Sequence, residues 1–211
     1  LEVNYSDVAI IVGNGTSRKV MDLAAMVRTM GDDRPRIYGC NALYREYESA
    51  GYIVPDYLVA IDDGIITEIE SSSFPANRVI IPPEHERWEP QELHMYGGEP
   101  SPAPRGNAGT VAMLAAIRNG AKTLLCIGFD SFLQDAKQSV SNLYDGTSNY
   151  GSETRANVAD NFGRVRYMAW IARTNPDIDF VFVYPEGMSA VPMGETNIFQ
   201  STFNNLMESG A

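Results

Sequence analysis

Alternating strands and helices predict an α/β protein, built as a Rossmann-like domain with a mainly parallel sheet and helices on both faces. Two observations carry this. Short apolar runs that suit buried strands recur along the chain, each followed by a helical period or a polar turn. The first of them, Val8-Ala9-Ile10-Ile11-Val12, runs directly into Gly13-Asn14-Gly15-Thr16-Ser17. A strand, a glycine turn and a helix start aim free N–H groups at one point, which suits an anion.

Taken in order, Thr16 and Ser17 are good N-cap types for a helix whose stripe is Val20, Leu23, Ala24 and Val27 and which ends at Gly31. Arg36–Cys40 is a second strand ending at Asn41, with a helix over 42–49. Tyr57–Ile61 is a third, ending at Asp62-Asp63-Gly64, and a short helix covers 65–69. Arg78–Ile81 is the fourth, stopped by Pro82-Pro83. The segment 82–105 holds six of the twelve prolines and both histidines, His85 and His94, without a regular period. It is expected to be a lid or insertion. A buried helix follows over 107–119, then a strand over 123–130 ending in Asp130, then an irregular polar loop over 134–156 that contains Tyr144 and Tyr150. The longest helix spans 157–174, and Asp179–Tyr184 is the last strand expected. The tail, with Phe199, Phe203 and Leu206, is expected to be a short helix packing back on the sheet.

The totals fit one domain over 1–211: 44% hydrophobic residues, 20% charged, and a net charge of −11. That charge argues against sequence-independent nucleic-acid binding. No run approaches the ~18 apolar residues of a membrane span. Leu1–Asp7 lack the features of a signal peptide and no Met begins the chain, so a trimmed, cytoplasmic protein is expected. Cys40 and Cys126 each lie in an apolar strand and read as core residues in a reducing setting.

In parallel sheets ligands bind beyond the carboxyl ends of the strands, where the strand order reverses. Gly13, Asn14, Gly15, Thr16, Ser17, Asn41, Asp62, Asp63 and Asp130 occupy those ends, and Asn107-Ala108-Gly109 opens a helix toward the same edge. A nicotinamide dinucleotide is disfavoured, because Asn41 stands where an acidic residue would hold the ribose. A kinase-type phosphate loop is missing as well. Asparagines both donate and accept, which suits a base edge, a ribose or a phosphate. A nucleotide or nucleotide-sugar is the resulting expectation.

Ile10-Ile11-Val12-Gly13-Asn14-Gly15-Thr16-Ser17 resembles the Gly-Asn-Gly-Pro-Ser opening of the bacterial lipooligosaccharide sialyltransferases. Gly39-Cys40-Asn41 resembles their Arg-Cys-Asn segment. Gly106-Asn107-Ala108-Gly109 resembles their Thr-Ser-Gly helix start, and Ile127-Gly128-Phe129-Asp130 their Gly-Ile-Asp strand. The pattern is also similar to the motility-accessory glycosyltransferase-like proteins. The resemblance implies a CMP-sugar donor, a glycan acceptor and inverting, metal-independent transfer. It implies donor contacts from Asn14, Asn41 and Asn107–Gly109, with Asp62 and Asp63 at another donor-contacting position and Asp130 at the base of the cleft. The family's catalytic His has no counterpart here. Its register falls near Asp160, which becomes the candidate general base, while Tyr144 or Tyr150 would stand for a family tyrosine that assists the leaving phosphate. Phe132 takes the place of the other such tyrosine. Arg18, Lys19, Arg105 and Arg155 are the cations available to that phosphate.

Two alternatives stay open. A catalytically silent nucleotide-binding or assembly protein would explain the missing His. A Mg²⁺-dependent diphosphate-transferring enzyme would use Asp62-Asp63, although metal-dependent transferases usually carry Asp-x-Asp and a turn explains the adjacent pair as well. The sequence leaves the oligomeric state open.

Overall fold

The structure, a computed structural model, describes residues 5–46, 54–83, 106–134, 142–151 and 158–208, without the side chains of 158–160. Seven strands form one sheet: β1 (Val8–Val12), β2 (Arg36–Cys40), β3 (Tyr57–Val59), β4 (Val79–Ile80), β5 (Thr123–Ile127), β6 (Asp179–Tyr184) and β7 (Ile198–Thr202). Their order is β4-β3-β2-β1-β5-β6-β7, and every pairing is parallel. The mainly parallel expectation thus sharpens to a wholly parallel sheet.

Parallel strands covered on both faces must be buried on both sides, and β1, β2 and β5 are, beyond the first residue of each. In β1, Ile10 and Val12 pack toward one face with α1 (Leu23–Met30), α2 (Asp63–Glu70) and α5 (Phe203–Glu208). Ala9 and Ile11 pack toward the other, with α3 (Ala108–Arg118) and α4 (Val158–Thr174). The connections leaving β1 and β3 lie on the first face; those entering β5 and β6 lie on the second. The change of face falls between β1 and β5, which are hydrogen-bonded neighbours. That is the switch point of a doubly wound sheet.

α3 supplies the clearest local logic. Asn107 accepts from the Thr110 N–H at 3.0 Å, and the Thr110 hydroxyl accepts from the Asn107 N–H at 2.9 Å. This reciprocal box satisfies two helix-start donors. At the far end Gly120, with φ +96°, turns the chain into β5. Since α3 ends beside the start of β5, its N-terminus points to the carboxyl edge.

Several expectations are corrected. No α-helix begins at Thr16: a 3-10 turn spans Thr16–Val20, Val20 is exposed, and Asp22 caps α1 through the Ala25 N–H at 2.8 Å. The described part of 42–49 is also a 3-10 turn, Asn41–Glu46. Asp62-Asp63-Gly64 is the start of α2, with Asp62 at its N-cap position. Ile198–Thr202 is a strand, β7, where a helical tail was expected, and the helix follows it. Asn197 explains that placement. Its buried amide donates to the carbonyls of Ala172, Asn175 and Ile178 at 3.0, 3.0 and 2.9 Å, fastening the start of β7 to the end of α4. The expected lid over 82–105 lies outside the described residues except for Pro82 and Pro83.

Cys40 and Cys126 are buried and unbridged. β1 separates their strands, so they stand at least two strand spacings, ~9.6 Å, apart. A disulfide would need their Cα atoms within about 7 Å.

Candidate functional site

The glycines of the first loop answer to packing. A Cβ on Gly13 would lie 2.7 Å from the Gly128 carbonyl oxygen, and one on Gly15 would lie 2.3 Å from Asp130 Oδ1. The loops after β1 and β5 therefore cross in contact, with Gly13 N and Gly15 N donating to the carbonyls of Ile127 and Gly128 at 2.8 and 2.9 Å. Gly128 takes φ +79° to permit it. Gly109 has a similar reason, since a Cβ there would meet the Phe129 ring at 2.5 Å.

Asp130 fills the point toward which the loop's donors converge. It is 8% exposed and accepts from the Ser17 N–H at 2.9 Å, from the Ser17 hydroxyl, and from the Thr16 hydroxyl at 3.3 Å. Arg18 N is also taken, by the Gly15 carbonyl at 3.2 Å. The loop was expected to offer these groups to a ligand anion. The anion already present is the protein's own carboxylate.

Asn14 and Asn41 sit at the ends of adjacent strands. The Asn14 side-chain amide donates to the Cys40 carbonyl at 3.1 Å, while its Oδ1 is buried without a hydrogen-bond partner. Asn41 takes the left-handed conformation, φ 47°, which Asn tolerates better than most residues. Its amide donates to Asp62 at 2.5 Å and its Oδ1 accepts from the Ile61 N–H at 3.3 Å. Asn41 and Asp62 thereby tie β2 to β3. Asp63 is exposed in the first turn of α2.

The segment 142–151 lies across this edge like a strap. Asn142 bridges Gly15, and the Leu143 N–H donates to the Asn14 carbonyl at 2.8 Å. Arg45 holds the strap from beneath: it donates to Thr147 at 2.6 Å, to the Ser148 carbonyl at 2.8 Å and to Glu68 at 2.7 and 2.8 Å. Its guanidinium lies 5.6 Å from the ring centres of both Tyr144 and Tyr150. Asn149 adds a bond to Glu68 at 2.8 Å. Burial alone would raise the Glu68 pKa; the Tyr44, Asn149 and Arg45 donors outweigh it and hold it below the usual carboxylate value.

The two candidate tyrosines differ. Tyr144 donates to Glu46 at 2.5 Å and accepts from Arg18 at 3.3 Å, completing a buried Arg18–Glu46–Tyr144 cluster in which the ion pair spans 2.8 Å. Burial drives its pKa well up. Burial also works against the Arg18 charge, but Glu46 more than compensates and the guanidinium is held above its ordinary value. Arg18 is therefore not a bare cation waiting for a phosphate. Tyr150 is pushed up to about 12, chiefly by burial. Its hydroxyl lies near the Ala42 backbone, Asn41 and Asp62, but no partner meets hydrogen-bonding geometry.

Phe132, at the expected position of a family tyrosine, is fully buried and packs against Phe129 and Phe182 with ring centres 5.9 and 5.2 Å apart. Asp160 lies in the first turn of α4, and its side chain is outside the described residues. So are His85, His94, Arg105 and Arg155. Among the described residues no three of His, Cys, Asp and Glu gather as a metal site, and no helix is long and apolar enough to cross a membrane. Sequence reasoning missed Glu46, Arg45, Glu68 and Asn149. Their partners lie 23 to 103 residues away, so no local spacing could have signalled them.

Fold and site together define a doubly wound α/β protein whose candidate site is the carboxyl edge at the switch between β1 and β5. No family model matches the chain, and no curated protein matches it in sequence. Among solved structures the chain is similar to the MAf glycosyltransferase from Magnetospirillum magneticum AMB-1, at 14% identity and a TM-score of 0.54. The match takes in 100% of this chain and 37% of that one, so the chain spans little more than a third of that protein's length. At this identity the likeness shows the fold.

Proposed function

We propose that this chain is a nucleotide-sugar-binding, glycosyltransferase-like protein that takes a CMP-sugar donor and a glycan acceptor, with inverting transfer that needs no metal. One observation carries the reading. Asn14, Asn41, Asp62 and the start of α3 share the carboxyl edge at the switch point, and there Asn14 Oδ1 and the Tyr150 hydroxyl are buried without partners. Unpaired buried polar atoms are costly, and bound polar ligands are one of the few things that relieve them. The likeness to a glycosyltransferase supports the same direction, and the N-terminal end of α3 at this edge suits the donor phosphate.

In this scheme the transfer needs a base for the acceptor proton and a counter-charge for the leaving phosphate. Asp160, at a helix start, is the proposed base, and Tyr150 the group beside the phosphate. A second reading, binding without turnover, is favoured by one feature: Arg18 is paired with Glu46, and the loop after β1 gives its Thr16 and Ser17 donors to Asp130 and its Gly13 and Gly15 amides to backbone carbonyls.

A thermal-shift panel of nucleoside mono- and diphosphates and CMP-, UDP- and GDP-sugars, run with EDTA and with Mg²⁺, tests the binding claim. A ligand at a hundred times its Kd adds about 2.7 kcal/mol of stability. CMP compounds are expected to raise the Tm equally in both buffers, and no shift from any nucleotide contradicts the reading. Donor hydrolysis by Asp160→Ala then separates the two forms: an unchanged rate removes Asp160 as the base, and no hydrolysis by the wild type favours the silent one.

A further inference from the structure

The two edges of the sheet are finished differently. Edge strands are ordinarily blunted by shortness, charge or proline. β4 is two residues long, and Pro82-Pro83 stops the chain just beyond it. β7 runs for five residues, Ile198-Phe199-Gln200-Ser201-Thr202, and from Asn197 to Asn205 the chain carries neither charge nor proline. A net charge of −11 makes two copies of the chain repel. This seam adds nothing to that repulsion.

Which groups β7 offers follows from its register. The Phe180 N–H donates to the Asn197 carbonyl at 2.9 Å, and Phe180 stands opposite Ile198. Bonding then alternates along the strand: Phe199 and Ser201 turn their backbone toward β6, while Ile198, Gln200 and Thr202 turn theirs to the open side. Among the described residues, no partner meets the backbone N–H or C=O of Ile198 or Gln200. The Gln200 side chain is engaged elsewhere, since it accepts from the Ala190 N–H at 2.8 Å and donates to the Met188 carbonyl at 3.1 Å. Phe199, 47% exposed, stands beside Val181 on the face that carries α5.

We propose that this edge is a self-association surface, on which β7 pairs antiparallel with β7 of a second copy about a two-fold axis at Gln200. A row of alternating donors and acceptors is satisfied by another strand, and a two-fold makes an antiparallel pair self-complementary. With the two Gln200 residues opposite each other, each N–H donates to the other's carbonyl, and Ile198 meets Thr202 of the second copy in the same way. Phe199 then faces Ser201 of the second copy on one side of the sheet, a large side chain against a small one. That match and the uncharged seam favour a second copy over an unrelated strand. The two sheets run on as one of fourteen strands, seven from each copy, with their carboxyl rims facing opposite ways.

Sedimentation equilibrium from about 1 μM to about 1 mM chain, with residue-resolved amide exchange over the same range, tests it. The wild type is expected to rise from the mass of one chain to that of two. The Ile198 and Gln200 amides gain protection as it does so, while those of Phe199 and Ser201, already bonded to β6, change little. Phe199→Glu sets two like charges diagonally across the seam and is expected to raise the dimer Kd about tenfold or more. Adding Ser201→Lys to it brings opposite charges face to face and recovers most of that loss. A mass that stays at one chain, a mass that climbs past two, or a dimer whose Kd ignores Phe199→Glu overturns the proposal. Should Phe199→Glu not fold, the wild-type arm still decides: a dimer without added protection at Ile198 and Gln200 forms on another surface and refutes it.

Discussion

At the scale of single residues, the candidate site is shaped by side chains that satisfy one another. Asp130 is the clearest case, because one carboxylate fixes Thr16 and Ser17 and thereby the loop after β1. Gly15 is required by that arrangement. Gly15→Ala would push a methyl into the Asp130 carboxylate and the Gly128 carbonyl, and is expected to cost about 1–3 kcal/mol, as overpacking does. Urea unfolding measures it, and a midpoint equal to the wild type would mean that the two loops do not cross in contact. The residues at the strand ends were legible in the sequence because their positions follow from β1, β2, β3 and β5. What each side chain bonds to was not. Asn41 could have faced a ligand as easily as Asp62, and nothing in Cys40-Asn41-Ala42 distinguishes the two.

Elements raise a different question: what fastens one piece to the next. β2 and β3 are joined ahead of their strands by Asp56, which accepts from Arg34 at 2.6 and 3.1 Å and from the Ile37 N–H at 2.8 Å. Burial alone would raise the Asp56 pKa, but Arg34 and the Ile37 amide outweigh it and hold the group below its usual value. A lowered folded pKa gives stability that is present above the ordinary carboxylate range and lost as pH falls through the folded value. Stability is therefore expected to fall below about pH 4, and Asp56→Asn, compared by thermal melts from pH 7 to pH 3, should show a shallower fall. An identical slope would contradict the assignment.

Asn197 plays a comparable part at the other end of the sheet. Asn197→Ala would remove the side-chain donor from the carbonyls of Ala172, Asn175 and Ile178, of which Ala172 keeps the Asn175 N–H at 3.2 Å. The expected cost is about 1–3 kcal/mol in chemical denaturation, with faster amide exchange in β7 than in β1. A change confined to overall stability, with β7 exchange untouched, would show that the amide does not anchor that strand. β7 itself was illegible in the sequence. Ile198-Phe199-Gln200-Ser201-Thr202 has only two strongly apolar residues, one of them half exposed, and its pairing partner begins 19 residues earlier. Val8–Val12, Arg36–Cys40 and Asp179–Tyr184 were read with their bounds intact, since strands buried on both faces leave an apolar run that edge strands do not.

Over the whole molecule, the wholly parallel sheet and its change of helical face put the ends of β1, β2, β3 and β5, the start of α3 and the 142–151 strap on one rim. That convergence was expected from alternation alone, because doubly wound sheets place their ligand at the switch in strand order. The strap was not, as its anchors Arg45 and Glu68 belong to other parts of the chain. Hydrogen–deuterium exchange with and without saturating CMP tests the central claim most directly. Protection confined to 13–17, 41–46, 107–111 and 142–151 is the predicted result; protection at β4 or β7, or none anywhere, would contradict a nucleotide site at the switch point.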